Sequence, residues 1–262
     1  MRELRRHQRL QLILQDISQD QLGARRQLRV YVNVINASRR AELTQAAREL
    51  LLEFWRKRHQ AWVAPPDIEG FFPLRTDLLV RSIIGIELNE PEVIEQEKAE
   101  FEIAGLLERN ISRITIAQKF PPECKRFTTA HEIGHWILHP DVIRHRDRPL
   151  GGHERLNEAR PLEEQEVDVF AAELVMPRKQ LRRYFSLALG NPLSCNDPRL
   201  ELLQMHRPTV SLSELSSQRR RRSMLVAEAR SLGPQFFLPL HERFGVSRIA
   251  MAIQLEELGL VL

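Results

Sequence analysis

The sequence predicts an α+β fold: mostly helical, with a small antiparallel sheet beside one central helix and a helical C-terminal region. Three observations lead there. Apolar residues recur at helical spacing through most of the 262 residues, whereas strand-like alternation is confined to residues 29–35 and 101–117. Fifteen Pro and eleven Gly fall mainly between these stretches and punctuate them. A chain 42% hydrophobic and 28% charged can bury a sizeable core, which excludes a wholly disordered or fibrous protein. No run approaches the roughly 18 apolar residues of a membrane span.

Taken in order, residues 1–20 form an amphipathic helix with Leu10, Ile13, Leu14 and Ile17 on one face. Gln11, Gln15 and Asp16 interrupt it, so it lacks the unbroken apolar centre of an export signal. Val30, Val32 and Val34 then alternate as a strand. Ser38 is the expected cap of a stronger helix carrying Leu43, Ala46, Ala47, Leu50, Leu51 and Phe54, which Ala64-Pro65-Pro66-Asp67 breaks. A further helix runs from Leu74 to Ile84 and stops at Gly85. Phe101–Leu107 and Ile111–Ala117, parted by Glu108-Arg109-Asn110, read as a hairpin.

Pro121-Pro122-Glu123 opens the central helix, which Pro140 ends after Leu138. Residues 141–160 are polar, contain Gly151-Gly152 and read as a loop. Helical periodicity resumes over Leu162–Val175 and stops at Pro177. The remainder is helical, interrupted at Gly190-Asn191-Pro192, Arg207-Pro208 and Gly233-Pro234, and no internal repeat is visible.

Charge is unevenly placed. Residues 1–60 hold thirteen Lys/Arg against six Asp/Glu, while residues 87–109 hold eight Glu against Lys98 and Arg109. The basic segment can meet nucleic acid or an acidic partner, but a solvated helix face is the plainer reading. Two cysteines, Cys124 and Cys195, make no disulfide framework, and the expected location is the cytoplasm. Cys124 reads as a buried small apolar residue.

The chemistry lies in His131-Glu132-Ile133-Gly134-His135, inside the central helix. Histidines at i and i+4 project from one face and can reach one zinc ion, and Glu132 can take the proton of an attacking water. A zinc site of this kind needs a third protein ligand. Asp141 is ten residues past His131, but the turn it would need asks for Gly at 138, where Leu138 stands. His139 continues the series, yet three consecutive turns rise about 12 Å, too far for one ion to bridge. It reads as a capping or surface histidine. The better source is Glu163-Glu164-Gln165-Glu166-Val167-Asp168, at the start of the next helix. Glu164 and Asp168 share a face, which suits one carboxylate on the metal and one orienting a ligand imidazole. Glu163 and Glu166 are the alternatives.

The run Arg126-Phe127-Thr128-Thr129-Ala130-His131-Glu132-Ile133-Gly134-His135, followed by Phe170-Ala171-Ala172-Glu173-Leu174-Val175-Met176-Pro177, resembles the ImmA/IrrE family of zinc metallopeptidases. The likeness covers roughly residues 42–180. It implies a zincin-like domain over 41–180, between a basic extension (1–40) and a helical region (181–262) with a helix-turn-helix-like end. It implies Zn2+, with His131, His135 and Glu164 as ligands, Glu132 as catalytic acid/base, and a protein substrate. Val167-Asp168 departs from the family's Ala-Asn; Asp168 can serve equally as an acceptor behind a ligand. A substrate strand is expected along the edge of the 101–117 hairpin. The oxyanion-stabilising group is left among His145, His153 and the arginines of 141–160. Family members with known roles cleave helix-turn-helix repressors of the Xre type in stress-response, mobile-element or toxin–antitoxin-like systems.

Residues 235–260 read as helix (Phe236–Phe244), turn (Gly245-Val246-Ser247) and helix (Arg248–Leu258), with Ser247 as cap and Ala250, Met251, Ile253, Leu255 and Leu258 as the apolar face. One Arg against Glu256 and Glu257 is poor equipment for a DNA-reading helix, so a structural or substrate-docking role is expected. The run Arg219–Arg222 is expected to be solvated. Direct DNA contact and a membrane partner are not expected. The rival from another class is a non-catalytic DNA- or regulator-binding protein on a peptidase scaffold, although such a protein has no need to keep Glu132 and both histidines.

Overall fold

An asparagine starts the first described helix. The computed structural model describes residues 35–95, 102–141, 143–147, 161–204, 215 and 217–262. Asn36 caps α1 (Ala37–Arg56), its side chain accepting 2.9 Å from the Arg39 backbone N–H. The cap expected at Ser38 is thus two residues earlier. Asn caps as well as Ser, and Asn36 is the residue with the extended backbone that a cap requires, φ −68° and ψ 162°. Leu43, Ala47, Leu50, Leu51 and Phe54 are buried along one face. The expected helix over 1–20 and all but Ile35 of the strand over 29–35 lie outside the described residues.

The segment Leu74–Ile84 is one α-turn (Thr76–Leu79) followed by a π-turn (Val80–Ile84), and it stops at Gly85 with φ 75° as expected. Four strands follow: β1 (Glu87–Asn89), β2 (Gly105–Glu108), β3 (Arg113–Ile116) and β4 (Arg144–Asp147), in the order β1-β3-β2-β4. β2 and β3 pair antiparallel, from Gly105 opposite Ile116 to Glu108 opposite Arg113. Their link is a 3-10 turn, Arg109–Ile111, closed by Ser112 at φ 50°.

Two strands depart from expectation. β1 runs parallel to β3, so the sheet is mixed; three residues are too few to show a period. β4 arises within the segment read as a loop and pairs antiparallel with β2. Its sequence, Arg-His-Arg-Asp, has no apolar alternation, and an edge strand needs none, because backbone hydrogen bonds alone can hold it. β4 therefore covers the hairpin edge on which a substrate strand was expected, and β4 itself is the sheet's edge.

The central helix α2 (Pro122–Leu138) lies against the sheet on one side and α3 (Leu162–Val175) on the other, with α1 packed on α3. Eight consecutive residues of α2, Thr128–His135, are buried. No face of its middle meets water, which is why its apolar periodicity is weak there.

The C-terminal third continues this core. It comprises α4 (Arg178–Leu189), a short helix Arg199–Gln204, α5 (Arg219–Glu228), a two-residue hairpin (β5 Ser231–Leu232, β6 Gln235–Phe236), the turn Leu240–Phe244 and α6 (Arg248–Glu257). One continuous buried cluster runs from Ala47 to Val261. The helix expected from Phe236 begins only at Leu240, because Pro239 sets its start and the residues before it belong to the hairpin. Ser247 caps α6, its hydroxyl accepting 3.1 Å from the Ala250 N–H. Met251, Ala252 and Leu255 are buried, whereas Ile253 of the expected apolar face is exposed.

The basic run is engaged internally. Arg219 donates to the carbonyls of Val261 and Glu256, at 2.9 and 2.8 Å. Arg220 forms a two-pronged pair with the Glu256 carboxylate, at 2.8 and 2.9 Å. Arg222 is buried and donates to the Leu215 and Leu262 carbonyls. Of the four, Arg221 and Arg219 expose most surface, so the solvated run that was expected is chiefly a clamp on the end of α6. Among the described residues no helix is long and apolar enough to cross a membrane.

Candidate metal centre

The α-helical spacing sets His131 and His135 one turn apart on the buried middle of α2, their Nε2 atoms 3.2 Å from each other. What brings a third donor to them is the close approach of α3, and Gly134 permits that approach. A Cβ there would lie 3.0 Å from Cβ and Cγ1 of Val167, so any larger residue would push α3 away. With α3 close, Glu164 Oε2 lies 3.4 Å from His131 Nε2, and Glu164 Oε1 lies 3.5 Å from His135 Nε2. His131 and His135 are fully buried and Glu164 is partly exposed. One donor atom from each of the three residues lies within 4.8 Å of the other two.

These residues fit a zinc ion. A tetrahedron with ligand bonds of about 2.0–2.1 Å has edges of about 3.3–3.4 Å; the two histidine nitrogens match that edge, and each lies near it from one or the other Glu164 oxygen. The donor set, two imidazole nitrogens and a carboxylate, leaves one position of four open, as hydrolytic zinc sites do. Two imidazole nitrogens 3.2 Å apart can share a proton or can both turn lone pairs to a cation between them.

Asp168, one turn beyond Glu164 on α3, places Oδ1 3.1 Å from His131 Nδ1. A carboxylate there calls for the proton on Nδ1, which leaves Nε2 as a lone pair toward the donor cluster. Glu132 is fully buried beside the pair, under strand β2. Gly105 of that strand leaves it room: a Cβ at 105 would lie 2.7 Å from Glu132 Oε1 and 2.6 Å from Thr128 Cγ2.

The other candidates fall elsewhere. Asp141 and Glu163 are exposed and stand outside the donor group. Glu166 turns away from it, accepting from Arg39 Nε and Nη2 at 2.7 Å each. The Arg39 guanidinium holds the Glu166 carboxyl below its ordinary range, with burial opposing and His139 adding to the effect. His139 is the C-cap residue of α2, as expected, but it is not on the surface: it is 11% exposed and meets both His135 and Glu166. Cys124 is only half-buried; burial and then Glu123 push its thiol pKa up, and it lies outside the donor group. His145 sits in β4 with its backbone opposite Leu107, and His153 lies outside the described residues.

Sequence reasoning also passed over Arg109. It follows β2 and donates to the carbonyls of His135, Trp136 and His139, at 3.1, 2.9 and 3.2 Å. Its guanidinium lies 4.4 Å from the Trp136 ring centre. A cation at the last carbonyls of α2 both satisfies them and complements the helix dipole. A lone Arg in an acidic stretch carries no sign of this role.

Residues 89–189 match the family model Peptidase_M78, described as an IrrE N-terminal-like domain. That span contains all of α2 and α3, and with them every residue of the donor group. No curated protein matches the chain.

Proposed function

Since residues 89–189 match the IrrE N-terminal-like model, which supports membership of the ImmA/IrrE family, we propose that this protein is a zinc-dependent endopeptidase in which Glu132 is the catalytic acid/base. The observation that supports it most is the convergence of His131, His135 and Glu164 beside a buried glutamate. Zinc, when bound, polarises a peptide carbonyl and makes water a better nucleophile at neutral pH. His131 and His135 present their Nε2 atoms to it, and Glu164 contributes a carboxylate oxygen. Glu132 takes the proton of the attacking water as its oxygen bonds the carbonyl carbon. It returns that proton to the amine nitrogen as the C–N bond breaks. Burial keeps bulk water from competing for the Glu132 carboxylate.

The substrate we propose is a helix-turn-helix regulator of the Xre type, a choice supported by the family resemblance alone. The test is zinc per chain together with cleavage of such a regulator, for wild type and Glu132→Gln. One equivalent of zinc in both, with cleavage reduced at least about 10²-fold in the variant, is expected. A folded wild type that retains no zinc would overturn the peptidase reading in favour of a binding protein.

A further inference from the structure

We infer that His139 is a positioning residue for the metal centre: it holds the His135 ring with Nε2 toward the donor cluster, and Glu166 and Arg39 hold it in turn. The inference rests on the metallopeptidase reading above.

The direction of each hydrogen bond follows from the one before. His135 Nδ1 and His139 Nδ1 are 3.2 Å apart, and two like nitrogens can bond only if one carries the proton and the other a lone pair. His135 Nε2 faces Glu164 Oε1 and His131 Nε2, so as a neutral ligand His135 carries its proton on Nδ1 and donates it to His139. Neutral His139 then carries its own proton on Nε2, which lies 3.2 Å from Glu166 Oε2, an acceptor. Glu166 receives two further N–H groups from Arg39, at 2.7 Å each. With the other His139 tautomer, two N–H groups would meet at one end and a lone pair would face a carboxylate at the other. A single set of tautomers therefore serves every link from His135 to Arg39.

The backbone explains how His139 reaches this place. α2 ends at Leu138, and His139 leaves the helix at φ −124° and ψ 72°, close enough to turn its ring back on His135. At 11% and 9% exposed, the His139 and Glu166 side chains are shielded enough from water for these bonds to hold orientation.

The experiment measures, on the full chain, the zinc dissociation constant by competition with a chromophoric chelator and the melting of the zinc-free protein. His139→Ala should weaken zinc binding about 10- to 100-fold. His139→Asn keeps an acceptor near the Nδ1 position and should restore most of that affinity, while the two zinc-free variants melt alike. Arg39→Ala, on an arginine 37% exposed at the far end, should weaken binding by a smaller factor and guards against a His139 variant that misfolds. Zinc affinity within about twofold of wild type in His139→Ala, or no recovery in His139→Asn, would overturn the role given to His139. An unchanged Arg39→Ala would overturn that given to Arg39. A wild type without zinc would bring down the metallopeptidase reading as well, whereas zinc-binding wild type with unchanged variants removes this inference alone.

Discussion

On the His131 side of the proposed metal centre one aspartate, 29% exposed, meets the imidazole directly. On the His135 side the support is longer and its middle is drier: a second imidazole, a glutamate 9% exposed, and an arginine 127 residues before that glutamate in sequence. The contrast follows from where each ring points. Asp168 lies one turn past Glu164, so one face of α3 supplies both a proposed metal donor and the support of His131. Glu164 also reaches His135 through Nε2, but the Nδ1 of His135, nearer the end of α2, meets the residue that ends the helix. The first arrangement is local and sequence-encoded by an i, i+4 pair; the second couples the centre to α1.

Removing what both sides share should have the largest effect. Glu164→Ala takes away a proposed ligand rather than a support, so its zinc affinity should fall by more than the roughly hundredfold upper range for residues behind ligands. Chelator competition reads this directly. At 100 times the wild-type dissociation constant, zinc should stabilise wild type by about 2.7 kcal/mol and the variant hardly at all. Equal melting shifts in both proteins would mean that Glu164 is not a ligand.

A change that touches neither histidine comes next. Gly105→Ala drives a methyl against Thr128 and Glu132, a clash that should cost about 1–3 kcal/mol of stability. Because the clash falls on Glu132, cleavage should drop while zinc affinity stays near wild type. If zinc affinity fell as far as activity, β2 would be supporting the histidines too, and the two-sided description would need a third side.

The two supports are then compared one against the other. Asp168→Ala should weaken zinc about tenfold, the low end of the range for such residues, since water can replace a partly exposed carboxylate. Asp168→Asn, which keeps an acceptor oxygen, should recover most of the loss. His139→Ala losing less than Asp168→Ala would reverse the ranking that burial predicts.

How much of this could be read from the chain depends on the range of the interaction. Helix spacing alone brings His131 to His135 and Glu164 to Asp168, and Pro122, Gly85 and Ser247 mark helix boundaries in three parts of the chain through local backbone chemistry. The α+β class was equally legible, because periodicity is a local property. β4 was not: an edge strand of four polar residues is defined by its partner, β2, across nearly forty residues of chain. Nor were Arg39 and Arg109 legible, since a guanidinium on a helix or turn looks the same whether it meets water or a glutamate from another helix. His139 was read only in part, as a cap but not as a buried one, for a related reason. Its spacing excludes it as a ligand, but only the turn of backbone after Leu138 shows that it faces inward.

The smallest effect is expected from the clamp at the end of α6, a third use of arginine in the molecule. Arg39 completes a chain that ends at a proposed ligand, whereas Arg220 joins Glu256 in a pair exposed 39% on one side and 15% on the other. Such a pair contributes about 0–1 kcal/mol, because water competes for both charges. Arg220→Ala should therefore shift melting slightly and leave zinc affinity unchanged, even though its hydrogen bonds of 2.8 and 2.9 Å are nearly as short as those of Arg39. What separates the two arginines is the structure behind the carboxylate each one meets. A zinc affinity that moved with Arg220→Ala as much as with Arg39→Ala would show that the centre responds to the stability of the whole core, and the link through His139 would lose its distinction.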